Sequence, residues 1–389
     1  MACKILVVDD EPAWEELIKS IFENQIIDKK WDFMFARNGR IALEKLKENP
    51  DVAVVLLDLN MPEMDGLTFL RNFNTMDIHT IKVIVVTAYG DMENIRASMN
   101  EGAFDFLTKP INFNDLKITI EKALKQSGII KKALTEHDEL VALKKELEIA
   151  SHIQEAMAPK KLPTFLQQKD VDIYAKTIPA KEVGGDFYDF FQVDQDRLAF
   201  TVGDVSGKGI SAALYMAKMC TLFKTTASRF INPEECFLVL NNLLIAEKGN
   251  DSGLFVTIFY GLLNLNTGVC HYSCAGHPAP YIVDGAGKVE QMPDVGGCPL
   301  CLFENSEYES KRIRLKKGDT LVIYTDGVTD AMNPAKMQFG DENRLFKYLE
   351  GVDSKPLNEI IERLIAAIRD FAQDTPQSDD ITLLALRRN

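Results

Sequence analysis

The sequence contains no run of about 18 apolar residues, so no membrane-spanning helix is expected from it. Its opening stretch, MACKILVVDDEP, lacks the basic segment, long apolar core and cleavage site of a secretory signal. It reads as a buried strand, and the expectation is a cytoplasmic protein. Positive charge is in short supply: 44 Lys and Arg face 58 Asp and Glu, a formal net charge of −14. That balance argues against nucleic acid as the main partner. Cysteine is sparse, with seven in 389 residues, and reduced thiols are expected. Cys270/Cys274 and Cys298/Cys301 have ligand-like spacing for zinc, but both pairs stand among small and apolar residues, where buried free thiols are the commoner case. The remaining composition, 46% apolar and 26% charged, is ordinary for globular domains, and the length allows two or three of them.

A phosphate-cradling loop is missing as well. In TVGDVSGKG, Gly203 and Gly207 enclose three residues where that loop needs four, and Gly209 follows Lys208 in place of Ser or Thr. This leaves Lys208 facing solvent. The asparagine-rich helix of a histidine-kinase ATP lid is absent too. His137 and His152 lack the proline that usually follows a phosphorylatable histidine, and they read as surface residues. No general-base histidine is obvious.

What is present begins with alternation. From residue 4 to about 125, short β-branched runs (KILVVDD, WDFMFAR, VAVVLLDL, IKVIVVTA, AFDFLT) alternate with amphipathic segments such as EPAWEELIKSIFE. This predicts βαβ units in a doubly wound α/β domain with a five-stranded parallel sheet. Sites in such sheets form at the C-terminal strand ends. Those ends carry Asp9, Asp10 and Glu11, then Asp58, Thr87 and Lys109. Gathered carboxylates repel one another unless a divalent cation neutralises them, and oxygen ligands of this kind suit Mg2+. The cation would lower the charge barrier to a phosphoryl group arriving at Asp58, with Lys109 and Thr87 on its oxygens. The bland alternative is that acidic strand ends are merely solvated.

VVDDEP, LLDLNMPEMDG, VVTAYG and DFLTKP together resemble the receiver domain of two-component response regulators over residues 3–125. The resemblance implies Asp58 as phosphoacceptor. It implies Mg2+ held by Asp10, Asp58 and the Asn60 carbonyl, with Asp9 assisting through water. Thr87 and Lys109 would contact phosphate, and Phe106 would be the aromatic switch.

Between about 126 and 163, Leu140, Leu143, Leu147 and Ala150 follow a 3-4-3 spacing continued by Gln154 and Met157. A narrow apolar stripe with charged flanks suits a two-stranded coiled coil, with packing against the chain's own domains as the rival. Pro159 and Pro163 mark the end of the helix.

Residues 164–389 run strands first, then two long helical patterns, then strands again, a helix and a last strand. That order suggests an α+β domain with two sheets sandwiched between helices. Asp186, Asp204, Asp326, Asp379 and Asp380 stand at strand ends beside glycine or small residues. Singly, an Asp-Gly is usually a turn. As a set they suit hard divalent cations, and a pair of cations sharing a carboxylate can direct water at phosphorus.

VGGDFYDFF, GDVSGKGISAAL, AGHPAP, YTDGVTDA and SDDITLLAL, with the preceding ELEIASHIQEAM, resemble the metal-dependent PPM-type serine/threonine phosphatases, in the bacterial subclass that includes SpoIIE and RsbU. The resemblance implies Asp204 bridging two Mn2+ or Mg2+ ions with the Val205 carbonyl, Asp326 and Asp379 completing one metal, and Asp186 serving the second. Asp380 falls one place past the ligand position, and His277 reads as structural. Cys298 and Cys301 depart from the family's usual residues there, and the subclass lacks the arginine that eukaryotic relatives use for substrate phosphate. Lys181 or Lys208 would be its substitute. The expected whole is a receiver (1–125), a helical connector that dimerises the chain (126–163) and a phosphatase (164–389). A histidine kinase would phosphorylate it, and it would act on a phosphoserine or phosphothreonine protein, an anti-sigma-factor antagonist. The rivals are a binding module without turnover and a hybrid histidine kinase.

Overall fold

The computed structural model describes residues 2–76, 78–88, 92–159, 171–246, 253–352 and 355–389. The chain forms two compact units, Met1–Leu143 and Lys144–Asn389.

The first unit runs β1 (Cys3–Val8), α1 (Ala13–Ile21), α2 (Glu23–Ile27), β2 (Trp31–Ala36), α3 (Gly39–Glu48), β3 (Val52–Asp58), α4 (Gly66–Asn74), β4 (Lys82–Ala88), α5 (Met92–Asn100) and β5 (Asp105–Lys109). Its five strands are parallel in the order β2-β1-β3-β4-β5. The expected sheet is therefore present. Strands buried on both faces read as unbroken apolar runs, and here the two faces carry separate cores. One gathers Leu6, Val55, Leu57 and Phe69, and the other Ile5, Val54, Leu56 and Ile84. Asn38 and Asp65 cap α3 and α4 by accepting the Ile41 and Thr68 N–H groups at 2.9 and 2.7 Å, as short polar residues before an apolar run should.

Helix α6 (Phe113–Met157) is a single 45-residue element. Its first turns bury Leu116, Ile120 and Ala123 against the core of the first unit. The expected division at residue 125 therefore falls inside a helix. Leu140 and Leu143 are exposed, and Gln154 makes its contacts in the second unit. Pro159 follows the helix, while Pro163 and the expected boundary at 163/164 lie outside the described residues.

The second unit contains β6 (Val171–Ile178), β7 (Phe187–Gln192), β8 (Arg197–Val205), α7 (Ile210–Ala227), α8 (Pro233–Ala246), β9 (Val256–Asn264), β10 (Val269–Ala275), β11 (Tyr281–Val283), β12 (Val289–Gln291), β13 (Ser310–Arg314), β14 (Thr320–Tyr324), α9 (Asp326–Thr329), α10 (Arg344–Leu349), α11 (Leu357–Ala372) and β15 (Ile381–Arg388). Two five-stranded antiparallel sheets form, β13-β10-β9-β8-β7 and β12-β11-β14-β15-β6. Phe200, Val202, Phe259, Ile323, Leu384 and Leu386 fill the space between them. Helices α7 and α8 cover the first sheet through Met219, Phe223 and Phe237, and α10 and α11 cover the second through Leu345, Ile361 and Leu364. Alternate residues of each central strand thus serve either the inter-sheet core or a helical layer, as a period of two demands. Among the described residues no helix is long and apolar enough to cross a membrane.

Candidate functional site

In the first unit, Asp9 follows β1, Asp58 ends β3, Thr87 lies in β4 and Lys109 ends β5, so the parallel sheet delivers all four to one edge. One oxygen from each of Asp9, Asp10 and Asp58 lies within 4.8 Å of the other two. The Asp9 and Asp58 side chains are 6% and 9% exposed, while Asp10 is open to solvent. Lys109 Nζ donates to Asp58 Oδ2 at 2.7 Å and to Asp9 Oδ2 at 3.1 Å, and it sits 5.2 Å above the Trp14 ring. Burial pulls the Lys109 ammonium down, but the Asp58 and Asp9 carboxylates outweigh it and hold the group above its ordinary value. Burial raises Asp9, against hydrogen bonds from the Glu11 N–H and Lys109. The Asn60 N–H donates to Asp58 Oδ1 at 3.2 Å. Thr87 is fully buried, and among the described residues its hydroxyl has no hydrogen-bond partner. Phe106 is 38% exposed.

In the second unit the acidic strand ends also converge. Asp186 immediately precedes β7, Asp204 and Val205 close β8, and Asp379–Asp380 precede β15. Asp326 opens the short helix α9; the sequence read a turn there. Asp186 is buried, and its Oδ2 accepts from Thr325 Oγ1 at 2.7 Å. Burial, then the charge of Asp204, holds the Asp186 carboxyl well above the usual carboxylate range. Asp204 is pushed up to about 7, by burial and by the charges of Asp326 and Asp379. Burial also raises Asp326, helped by Asp330 and Asp379, and raises Asp330, which likewise faces Asp379. Asp330 belongs to this acidic group and was missed by the sequence reading. Its place four residues after Asp326 in YTDGVTD was the available signal.

Asp380 has a different position from its neighbour. Its Oδ1 accepts the Ala180 N–H at 2.7 Å, and its Oδ2 accepts those of Gly185 at 2.7 Å and Asp186 at 3.5 Å. With both oxygens engaged by backbone donors, it anchors the turn that presents Asp186. Gly184 and Gly185 permit that approach: a Cβ on Gly184 would lie 2.1 Å from Asp380 Oδ2, and one on Gly185 2.6 Å from the Val205 carbonyl. Gln154 of α6 grips the same turn, donating to the Gly184 carbonyl at 2.7 Å and accepting its N–H at 3.2 Å. Its polarity inside the apolar stripe thereby has a local cause.

Lys208 does not simply face solvent. Its Nζ lies 3.0 Å from Asp379 Oδ2. Lys181 is exposed. His277 is buried, with Nδ1 3.1 Å from Thr257 Oγ1, and burial pushes its imidazole down to about 3, so it is neutral. The cysteines are free thiols. Cys274 Sγ donates to the His277 carbonyl at 3.1 Å, Cys301 Sγ lies 3.0 Å from the Tyr215 hydroxyl, and burial pushes Cys270 up to about 12. Among the described residues neither cysteine pair belongs to a group of three or more side chains at metal-binding distance. His152 is 80% exposed, as expected of a surface residue.

The comparisons match the two units in order. Residues 5–121 match the response regulator receiver domain and residues 194–389 match stage II sporulation protein E (SpoIIE). The phosphoserine phosphatase RsbU of Bacillus subtilis is 29% identical over 63% of this chain and 71% of its own. Protein IcfG of Synechocystis sp. is 29% identical over 63% of this chain, which spans 42% of IcfG. The SiaA-PP2C domain of Pseudomonas aeruginosa shares the fold, with a TM-score of 0.56 at 21% identity over 64% of this chain and 99% of that one. The chain belongs to the SpoIIE family of PPM-type phosphatases and joins that domain to a response-regulator receiver.

Proposed function

We propose that the chain is a protein phosphatase whose turnover is set by phosphorylation of its own receiver. The observation that carries this is the convergence of Asp186, Asp204, Asp326 and Asp379. Burial and mutual repulsion raise the first three of these, a concentration of negative charge that calls for divalent cations. The donor set is all oxygen, which fits Mn2+ or Mg2+. Asp204, with the Val205 carbonyl, would be shared between two ions; Asp326 and Asp379 would complete one and Asp186 the other. Bound there, the ions supply Lewis acidity that readies water for attack on phosphorus. The chain's own residues fix the geometry: Thr325 orients Asp186, Asp380 holds its turn, and strand pairing sets Asp204 opposite Thr257. The substrate is a phosphoserine or phosphothreonine protein, in line with the likeness to the phosphoserine phosphatase RsbU; the family resemblance of the sequence points to an anti-sigma-factor antagonist, and the setting is cytoplasmic.

In the receiver, Asp58 is the phosphoacceptor. Asp10, Asp58 and the Asn60 carbonyl would hold Mg2+, with Asp9 in support. Lys109 and the Thr87 hydroxyl would take the phosphoryl oxygens, and Phe106 would repack. The donor is a histidine kinase. Gln154, near the end of α6, holds the Gly184 carbonyl and N–H just before Asp186, so a shift of this helix, or its pairing with a second copy, would bear on a metal ligand.

Manganese-dependent hydrolysis of a phosphoserine protein should vanish in Asp204→Ala and Asp326→Ala; activity retained by both removes the site assignment. Acetyl phosphate should change the turnover of wild type and leave Asp58→Ala unaffected.

A further inference from the structure

The turn between β8 and α7 places Lys208 between two glycines with positive φ, Gly207 at +92° and Gly209 at +78°. Glycine adopts that conformation without strain, so the backbone on either side of the lysine follows a path most residues resist. The reach comes from the lysine's flexible four-carbon stem. Its ammonium lies 3.0 Å from Asp379 Oδ2 and also donates to the Ser378 carbonyl. Its charge extends to Asp326, whose carboxyl it lowers against the dominant effect of burial. The side chain is 44% exposed, so the ammonium occupies the solvent side of the carboxylate group.

A divalent cation on Asp379 would share that carboxylate with the Lys208 ammonium, and the two positive charges repel. Cation binding at Asp379 therefore weakens this ion pair and frees the ammonium for another anion, while the stem keeps it beside the carboxylate group. The strongest anion arriving there is a phosphomonoester, for which a mobile point charge is a suitable partner. We propose that Lys208 binds the phosphoryl oxygens of the substrate, and that Asp379 is its resting partner until a divalent cation takes that carboxylate. This rests on the phosphatase reading and supplies the substrate contact for which the sequence offered only candidates.

The test uses the full chain carrying Asp10→Asn, which silences the receiver's own cation site, with Lys208, Lys208→Met or Lys208→Arg. Mn2+ alone is titrated by calorimetry, and inorganic phosphate is measured as a competitive inhibitor of phosphoserine-peptide turnover. Removing the competing ammonium should tighten Mn2+ binding about two- to fivefold, the range of an exposed ion pair. Losing a charge-assisted contact should weaken phosphate inhibition and raise KM about tenfold or more, with a smaller change in kcat. Lys208→Arg should stay near the parent in inhibition and KM. Unchanged Mn2+ affinity or unchanged phosphate inhibition in Lys208→Met overturns the proposal, as does a full loss in Lys208→Arg. Lys208→Gln replaces the methionine variant should that one fail to fold. A parent chain that never hydrolyses the peptide refutes the phosphatase reading instead, while the Mn2+ titration still reports on the Lys208–Asp379 pair.

Discussion

Thr325 Oγ1 donates to Asp186 Oδ2 at 2.7 Å and accepts the Thr382 N–H at 2.9 Å, so one hydroxyl joins the start of β7, the end of β14 and β15. All of it is buried. Thr325→Val keeps the shape and deletes the hydroxyl. It leaves the Thr382 donor unpaired, for a stability loss of about 1–3 kcal/mol in urea melts. Mn2+ affinity should fall about 10- to 100-fold, as when other groups that orient ligands are removed. Thr325→Ser should restore both.

Gly327→Ala should be among the most damaging single-methyl additions in the chain. Its Cβ would lie 1.9 Å from the Asp380 carbonyl oxygen, a backbone atom with no rotamer to yield. A loss of about 3 kcal/mol or more is expected, with circular dichroism reporting the lowered midpoint. Gly128→Ala in α6 is the opposite case. Nothing lies within 4 Å of that Cβ, and the exchange should add about 0.5–1 kcal/mol of helix stability.

His277 should make the phosphatase domain acid-sensitive. Its imidazole titrates at about 3 when folded, against an ordinary value of about 6.5 when unfolded. A depressed base favours the native state above the unfolded value and loses that contribution as pH falls from about 6.5 towards 3. The slope is about 1.4 kcal/mol per pH unit. His277→Gln cannot take up the proton, so its unfolding free energy should lack that increment between pH 6 and pH 4. Parallel curves for the two proteins would contradict the assignment.

The exposed pair Leu140 and Leu143, 58% and 48% accessible, is expected to be a seam between two copies. Sedimentation should give a dimer for wild type and a monomer for Leu140→Glu/Leu143→Glu, with Mn2+ binding unaffected. A monomeric wild type would remove the seam.

Much of this was legible because strand ends are where these folds gather their polar residues. Asp9, Asp58 and Lys109 could be read off a parallel sheet before any coordinates, and Asp204 and Asp326 off the turns that follow apolar runs. Other features depend on relationships that linear spacing does not carry. Asp379 and Asp380 are adjacent, yet the first faces Lys208 and the second faces the Ala180–Asp186 turn. The pattern of apolar residues has no means of assigning them different roles. Strand β13, SKRIR, is a largely exposed edge without alternating apolar character, so only its pairing with β10 reveals it. The receiver is expected from the sequence to end at residue 125, but α6 passes through that position because the core of the first unit supports the turns before it.

Both tryptophans of the chain, Trp14 and Trp31, lie in the receiver, and Trp14 sits beneath the Lys109 ammonium. Indole emission therefore watches the first unit alone, and through Trp14 it watches the neighbourhood of the proposed phosphoacceptor Asp58. Phosphorylation at Asp58 should then change this emission in the intact chain while a separate assay reads turnover, so that arrival of the signal and the response to it are clocked independently without attaching a dye.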